Sequence, residues 1–290
     1  MIVGVLGATG FVGRRLVPAL LSAGHDVVAL TRRPAEYLGP GRPAAADLDD
    51  ASSLPAALAG LDAAYLLTHA LGTPEFEQRE AEQARTLAAA AAGAGLGQLV
   101  FLSGLGTGEL SPHLRSRRTV EQLLREGPTP VTVVRAGIVI GAGSAGWEML
   151  RQMLDVLPVM VADLRARHLH QPIAAADAVG YLVDVLGRTD CLDATVEIGG
   201  ADVLRFSEML QRTAGLTDRT QLVQVPWVPT ALAAFGVGLM TDVDGATARD
   251  LLGSMANDSV VTDSAAADRL GRRVLGFDDA VRSALAEPAA

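Results

Sequence analysis

At 290 residues with 49% hydrophobic side chains, the chain is long enough to bury a large α/β core, and its abundant alanine suits helices packed on a sheet. A formal net charge of −9 argues against nucleic acid as a partner, because that role needs clustered cations. A single cysteine, Cys191, excludes an internal disulfide and a cysteine-based metal cage, and all 24 basic residues are arginine, which excludes any mechanism built on a catalytic lysine.

The apolar run from Ile2 to Leu6 predicts a buried strand. The periodic segment from Phe11 to Leu21 predicts a helix, with Pro18 as a kink and Gly24 as the C-cap. Between them stands Gly7-Ala8-Thr9-Gly10-Phe11-Val12-Gly13. A turn from strand into helix is where an α/β sheet holds a dinucleotide pyrophosphate. Gly7 allows the tight turn, Gly10 lets the backbone approach the phosphates, and Gly13 lets the helix pack closely. The N–H groups at the helix start face the negative charge. Thr9, Phe11 and Val12 belong to the same turn. A glycine triplet serving packing alone is the alternative; the strand-turn-helix context favours the cofactor site.

His25 to Leu30 form a second strand, which runs into Thr31-Arg32-Arg33. An acid at this position accepts hydrogen bonds from a ribose 2′-hydroxyl and repels a 2′-phosphate. Here there is none, and Thr31, Arg32 and Arg33 instead offer donors and positive charge, which points to NADP(H). Two solvated surface arginines are the alternative. Pro43 to Ala46 form a weak third strand, after which Asp47 and Leu48 are placed to meet the adenine.

A short helix, Ala51 to Ala59, precedes a fourth strand, Asp62 to Leu67. Thr68 and His69 follow that strand's C-terminal end, where ligand crevices of such sheets lie. Pro74 to Ala92 predict a long helix ended by Gly93. A fifth strand (Gln98 to Leu102), a helix (Pro112 to Glu126) and a sixth strand (Val131 to Val134) complete the alternation. The pattern implies right-handed crossovers and a doubly wound parallel sheet with helices on both faces, the Rossmann architecture.

Beyond Gly141 the pattern loosens. Residues 1–141 are assigned to the dinucleotide-binding core, 142–171 to a substrate loop and helix, 172–200 to a return to the core, and 201–290 to a smaller substrate or lid region. A helix is expected from Trp147 to Val156, a return at Ile173, a helix from Ala175 to Leu186 and a last strand from Thr195 to Ile198. Trp227, Met149, Met153, Phe235, Met240 and Met255 are candidates for an apolar roof over a flat substrate, or for ordinary core packing. His168 and His170 lack a nearby acid or cysteine cluster, so they are read as lining or rim residues and no metal site is expected. No apolar run reaches the roughly 18 residues a membrane span needs. No basic segment precedes the first strand. The expectation is a cytoplasmic monomer or homodimer without nucleic-acid or membrane partners.

Taken together, these motifs resemble the short-chain dehydrogenase/reductase superfamily, and within it the atypical, NmrA-like NAD(P)H-binding branch. Further segments carry the likeness: Phe101-Leu-Ser-Gly-Leu-Gly, Leu110-Ser-Pro-His-Leu-Arg-Ser-Arg117, Val134-Arg-Ala-Gly-Ile-Val-Ile-Gly and Gln171-Pro-Ile-Ala. The resemblance implies a serine that hydrogen-bonds the substrate oxygen, a tyrosine that exchanges its proton, and a lysine four residues later. Ser103 matches the serine, but His113 stands for the tyrosine and Arg117 for the lysine. Tyr37, Tyr65 and Tyr181 lie elsewhere. The resemblance also places Ala136 and Gly137 at the nicotinamide, with Gly137 permitting close ring approach.

The expected activity is NADPH-dependent reduction of an apolar carbonyl compound, an aromatic polyketide being one class, as in angucyclinone-type ketoreductases of secondary metabolism. His113, water or a substrate hydroxyl are the possible proton donors. A non-catalytic NADP(H) sensor bound to a protein partner, and an epimerase or dehydratase with tightly held NADP, are the alternatives.

Overall fold

Period-two alternation decides which face each strand buries. Val3, Val5, Val27, Ala29, Ala63, Tyr65, Val100 and Val134 join one hydrophobic cluster, while Leu6, Val28, Leu30, Ala64, Leu66, Leu99, Phe101 and Val133 join another. Each of these five strands contributes to both, so both faces of the sheet are covered. The computed structural model describes residues 1–70, 73, 75–156, 159–161, 168–217, 223–225 and 257–287, with side chains 153, 155, 156, 159–161 and 223–225 outside the description.

In chain order the first half comprises β1 (Ile2–Leu6), α1 (Gly13–Ser22), β2 (Asp26–Thr31), β3 (Arg42–Ala45), α2 (Leu54–Leu58), β4 (Ala63–Leu66), α3 (Phe76–Ala94), β5 (Gln98–Gly104), α4 (Pro112–Arg125) and β6 (Val131–Ala136). The second half holds β7 (Val139–Ile140), α5 (Ala145–Val156), β8 (Val159–Val161), β9 (Leu169–His170), β10 (Ile173–Ala174), α6 (Ala175–Asp184) and β11 (Thr195–Ile198). It ends with β12 (Leu204–Arg205), α7 (Phe206–Leu216), β13 (Val223–Val225), α8 (Ala265–Leu270) and α9 (Phe277–Ala286).

Seven strands form one parallel sheet in the order β11-β6-β5-β4-β1-β2-β3. The order reverses beside β1, where Val5 is registered with Ala29 on one side and Tyr65 on the other. Such a switch point opens a crevice at the carboxyl ends of the strands. Helices α1 and α6 cover one face through Leu16, Val17, Leu20, Val179 and Leu182; α2, α3 and α4 cover the other through Leu54, Leu87, Val120 and Leu124. A third cluster unites Trp147 and Leu150 of α5, Phe206 and Met209 of α7, and Phe277 and Val281 of α9.

Boundaries differ from expectation at one helix cap, one helix start and two strand ends. Helix α3 passes through Gly93, where an added Cβ would meet open space, and ends at Gly95, whose φ of 69° provides the left-handed cap. Helix α1 starts only at Gly13, leaving Phe11 and Val12 in the turn, and it accommodates Pro18 in its interior. Strands β5 and β6 run on to Gly104 and Ala136, carrying Ser103 within the sheet rather than after it. Of the expected roof, Met149 is fully buried in the third cluster; Trp227, Phe235, Met240, Met255 and the Met153 side chain lie outside the described residues.

Candidate active site

Two adjoining hollows lie at the switch point and share Gly7 and His69. The outer crevice, about 280 Å³, is bordered by Thr9, Thr31, Arg32, Asp47, Leu48 and Thr68. The inner cavity, about 350 Å³, is bordered by Gly10 to Gly13, Ala136 and Gly137, and also by Ser103, His113 and Arg117. Every predicted cofactor and catalytic residue except Arg33 therefore borders one hollow or the other. Arg33 turns to Glu36, with 3.3 Å between the charged groups. Arg32 is exposed and has no ion-pair partner among the described residues. Sequence reading missed Arg79 here, which borders the outer crevice and pairs with Asp49.

The glycine turn depends on its glycines for close backbone packing. Gly7 has φ +91°, and a Cβ on Gly13 would sit 2.1 Å from the Gly7 carbonyl oxygen, so only glycine lets α1 start this close to β1. A Cβ on Gly10 would meet only that same oxygen, at 3.3 Å, so its bare side is otherwise free toward the cavity. Gly137 has a different reason for being glycine: a Cβ there would lie 2.1 Å from the Gln171 carbonyl oxygen. Close packing of the chain before β10 demands it, whatever approaches from the cavity. Arg15 stiffens the turn by donating to Phe11 and Ala142 carbonyls at 3.1 and 2.9 Å and pairing with Glu287.

Two buried carboxylates organise the inner end, and sequence reading missed both. Glu80 of α3 accepts from the Ala70 N–H (2.9 Å), the Ser116 hydroxyl (2.5 Å) and Arg117 (3.3 Å). Burial opposes its charge, but Arg117, Ser116 and Ala70 outweigh that and hold its pKa below the usual carboxylate range. Arg117 also donates to the Leu102 carbonyl at 2.9 Å and lies over the Phe101 ring at 4.4 Å. Its guanidinium thus ties the ends of β4 and β5 to α3 and α4. Glu121 accepts from Ser103 (2.6 Å), Arg118 (2.7 Å) and Arg135 (2.6 Å), and these partners lower its pKa against the penalty of burial.

Consequently the Ser103 hydroxyl already donates to a carboxylate, and it reaches a substrate oxygen only by leaving that acceptor. His113 is differently placed. It borders the cavity, and its Nδ1 has no hydrogen-bond partner among the described residues. Burial and the neighbouring Arg117 charge push its pKa down to about 4. The expectation of an imidazole titrating near neutrality is thus corrected: His113 is neutral at physiological pH. His69 keeps surface open to the hollows, yet surrounding protein and Arg117 lower its pKa as well. His168 pairs with Asp258 at 3.0 Å, and no group of three potential metal ligands occurs among the described residues.

Against known proteins, residues 7–155 match the model of a family described as NAD(P)H-binding. The chain belongs to this family. It is 36% identical over 247 residues to the (4-alkanoyl-5-oxo-2,5-dihydrofuran-3-yl)methyl phosphate reductase of Streptomyces griseus, covering 79% of this chain and 80% of the relative. An uncharacterised protein of Mycobacterium tuberculosis is 29% identical over 187 residues, 64% of this chain, and the match spans only 20% of that longer relative. In fold, the chain superposes on the Citrobacter triphenylmethane reductase complexed with NADP(H), with a TM-score of 0.77 at 16% identity, covering 98% and 100% of the two chains. The bare glycine turn and the two contiguous hollows fit a dinucleotide of this kind. Among the described residues, no helix is long and apolar enough to cross a membrane.

Proposed function

We propose that the protein is an NADPH-dependent reductase of an uncharged, largely apolar carbonyl compound, an aromatic polyketide ketone being a fitting class. One observation carries the reading: the inner cavity, which the glycine turn borders on its cofactor side, is walled elsewhere by Leu67, Leu102, Leu105, Leu114, Ile138 and Met149, while its buried Arg117 is already neutralised by Glu80. Such walls favour an apolar body with few polar contacts. Arg32, exposed on the outer crevice and in no ion pair among the described residues, supports NADPH over NADH, although the Asp49 carboxylate on the same crevice also feels its charge.

When bound, NADPH supplies the hydride; the protein must orient the carbonyl and meet the charge growing on its oxygen. His113 fills that role as a neutral imidazole whose N–H donates to the oxygen, without first having to be an imidazolium. Arg117 positions β5 and α4 around it, and Ser103 anchors Glu121 behind them. The proton that completes the alcohol then comes from solvent, from a substrate hydroxyl, or from the His113 N–H itself, which regains it at the same nitrogen. The test is consumption of NADPH by the purified protein with a panel of quinones and polycyclic ketones. Turnover with NADPH preferred over NADH is expected. Tight NADPH binding with no turnover across the panel overturns the reading.

A further inference from the structure

His170 is 1% exposed, yet neither of its ring nitrogens has a hydrogen-bond partner among the described residues. A neutral imidazole carries one donor and one acceptor, and burying both unmet costs stability that an apolar side chain would not forfeit. The backbone around it is held on both sides. Leu204 of β12 pairs with it, and the Gln171 and Ser259 N–H groups donate across to Ser259 and Leu169 carbonyls at 2.8 Å each. Phe206 meets the ring edge-on, with centroids 6.4 Å apart. His170 borders the same inner cavity as His113, with its ring nitrogens just behind the surface. The two histidines come from different walls, one on β9 and one on α4, and each has an unpartnered ring nitrogen.

We propose that His170 is a substrate-binding residue that donates to an oxygen other than the one being reduced, so that the substrate class is uncharged carbonyl compounds with a second, separated oxygen. The word substrate rests on the reductase reading above; the contact itself does not. Burial and the neighbouring His168 push the His170 pKa down to about 4. The ring is therefore neutral in use and suits a neutral oxygen better than a carboxylate or phosphate. His113 serves the reacting carbonyl, and His170 fixes the direction in which the molecule lies.

Two probes of one ring size separate the contacts: para-naphthoquinone, with oxygens on opposite edges, and alpha-tetralone, with one. Binding is read by thermal shift of the NADP⁺-saturated protein. The wild type is expected to bind the quinone more tightly than the ketone. In His170→Phe the ligand-free protein is expected to melt higher, because a buried polar group without a partner among the described residues has gone. The same variant loses about tenfold in quinone affinity while ketone affinity stays unchanged, and His170→Gln, which keeps a donor, retains part of the preference. A lower melting temperature in His170→Phe, equal weakening of both probes, or a wild type without the preference each overturn the proposal. Preference without NADPH consumption leaves the His170 contact standing and removes the reductase reading instead. Consumption without preference does the reverse.

Discussion

The outer crevice and the inner cavity use charge in opposite ways. On the outside, Arg32 is exposed and in no ion pair among the described residues, and on the proposed reading it meets the cofactor's 2′-phosphate, with Asp49 close enough to feel its charge. Inside, Arg117 is buried and spends its donors on Glu80 and the Thr68 and Leu102 carbonyls, while Glu121 spends its oxygens on Ser103, Arg118 and Arg135. On the proposed reading, Arg32 at the outer end recognises, beside an Arg79–Asp49 pair that holds the crevice wall, while charge at the inner end only builds the walls and leaves neutral imidazoles for the ligand. A residue's type alone therefore does not reveal its role, because the same guanidinium serves both purposes.

Removing a builder has the largest expected effect. Glu80→Ala leaves the Arg117 charge, the Ser116 hydroxyl and the Ala70 N–H without their acceptor, so we expect a loss of ~3–5 kcal/mol in urea unfolding. A loss below ~1 kcal/mol would mean that the inner charges are loosely held and the division between the two ends is false. Removing a recogniser acts on binding instead. Arg32→Ala should weaken NADPH binding roughly 10- to 100-fold in a fluorescence titration, with NADH binding and stability unchanged. Arg33→Ala should change NADPH affinity by less than about twofold, since Arg33 is an exposed partner of Glu36 outside the crevice.

The two ends also differ in how far they could be read beforehand. Strand alternation and the glycine turn are local signals, so the doubly wound sheet and the border of the outer crevice followed from residue spacing. The inner carboxylates depend on contacts between distant segments: Glu80 meets Arg117 across 37 positions and Glu121 meets Ser103 across 18. Traces were present. Glu80 falls on the stripe Ala84, Leu87, Ala88 and Ala91 of α3, where a lone acid must find partners. Glu121 follows His113 and Arg117 at successive four-residue steps on one face of α4. The depressed pKa of His113 was not legible at all, because burial and the Arg117 charge arise only once the helix docks.

Acid should expose the inner end selectively. His113 and His170 have folded-state pKa values of about 4, below the ordinary 6.5 that they regain on unfolding. Above pH 6.5 both states are uncharged at these rings, and they add no pH dependence. As pH falls from 6.5 toward 4 the unfolded chain takes up protons that the folded one refuses, so stability is lost through that window. The slope contribution approaches about 1.4 kcal/mol per pH unit for each ring. His170→Phe should remove one ring's share, read as a shallower fall of the urea midpoint between pH 6.5 and 4.5. An unchanged slope would show that His170 is not held neutral.

The smallest expected effect discriminates most finely between the neutral imidazole and the hydroxyl as donor to the substrate. Ser103→Ala removes one hydrogen bond to Glu121, which keeps Arg118 and Arg135, so the cost in stability should be about 1 kcal/mol. Because the hydroxyl is already committed to that carboxylate, turnover with a quinone should stay within about threefold. His113→Ala, by contrast, should lower kcat by roughly 10²-fold while leaving NADPH affinity unchanged. If His113 acts as a neutral donor, the wild-type rate is level from pH 8 down to 5, whereas an imidazolium acid of ordinary pKa would fade above 6.5. A 10²-fold loss in Ser103→Ala would show that the serine leaves Glu121 for the substrate. Glu121 would then be an acceptor waiting for the proton's donor to turn away, and the inner charges would take part in recognition after all.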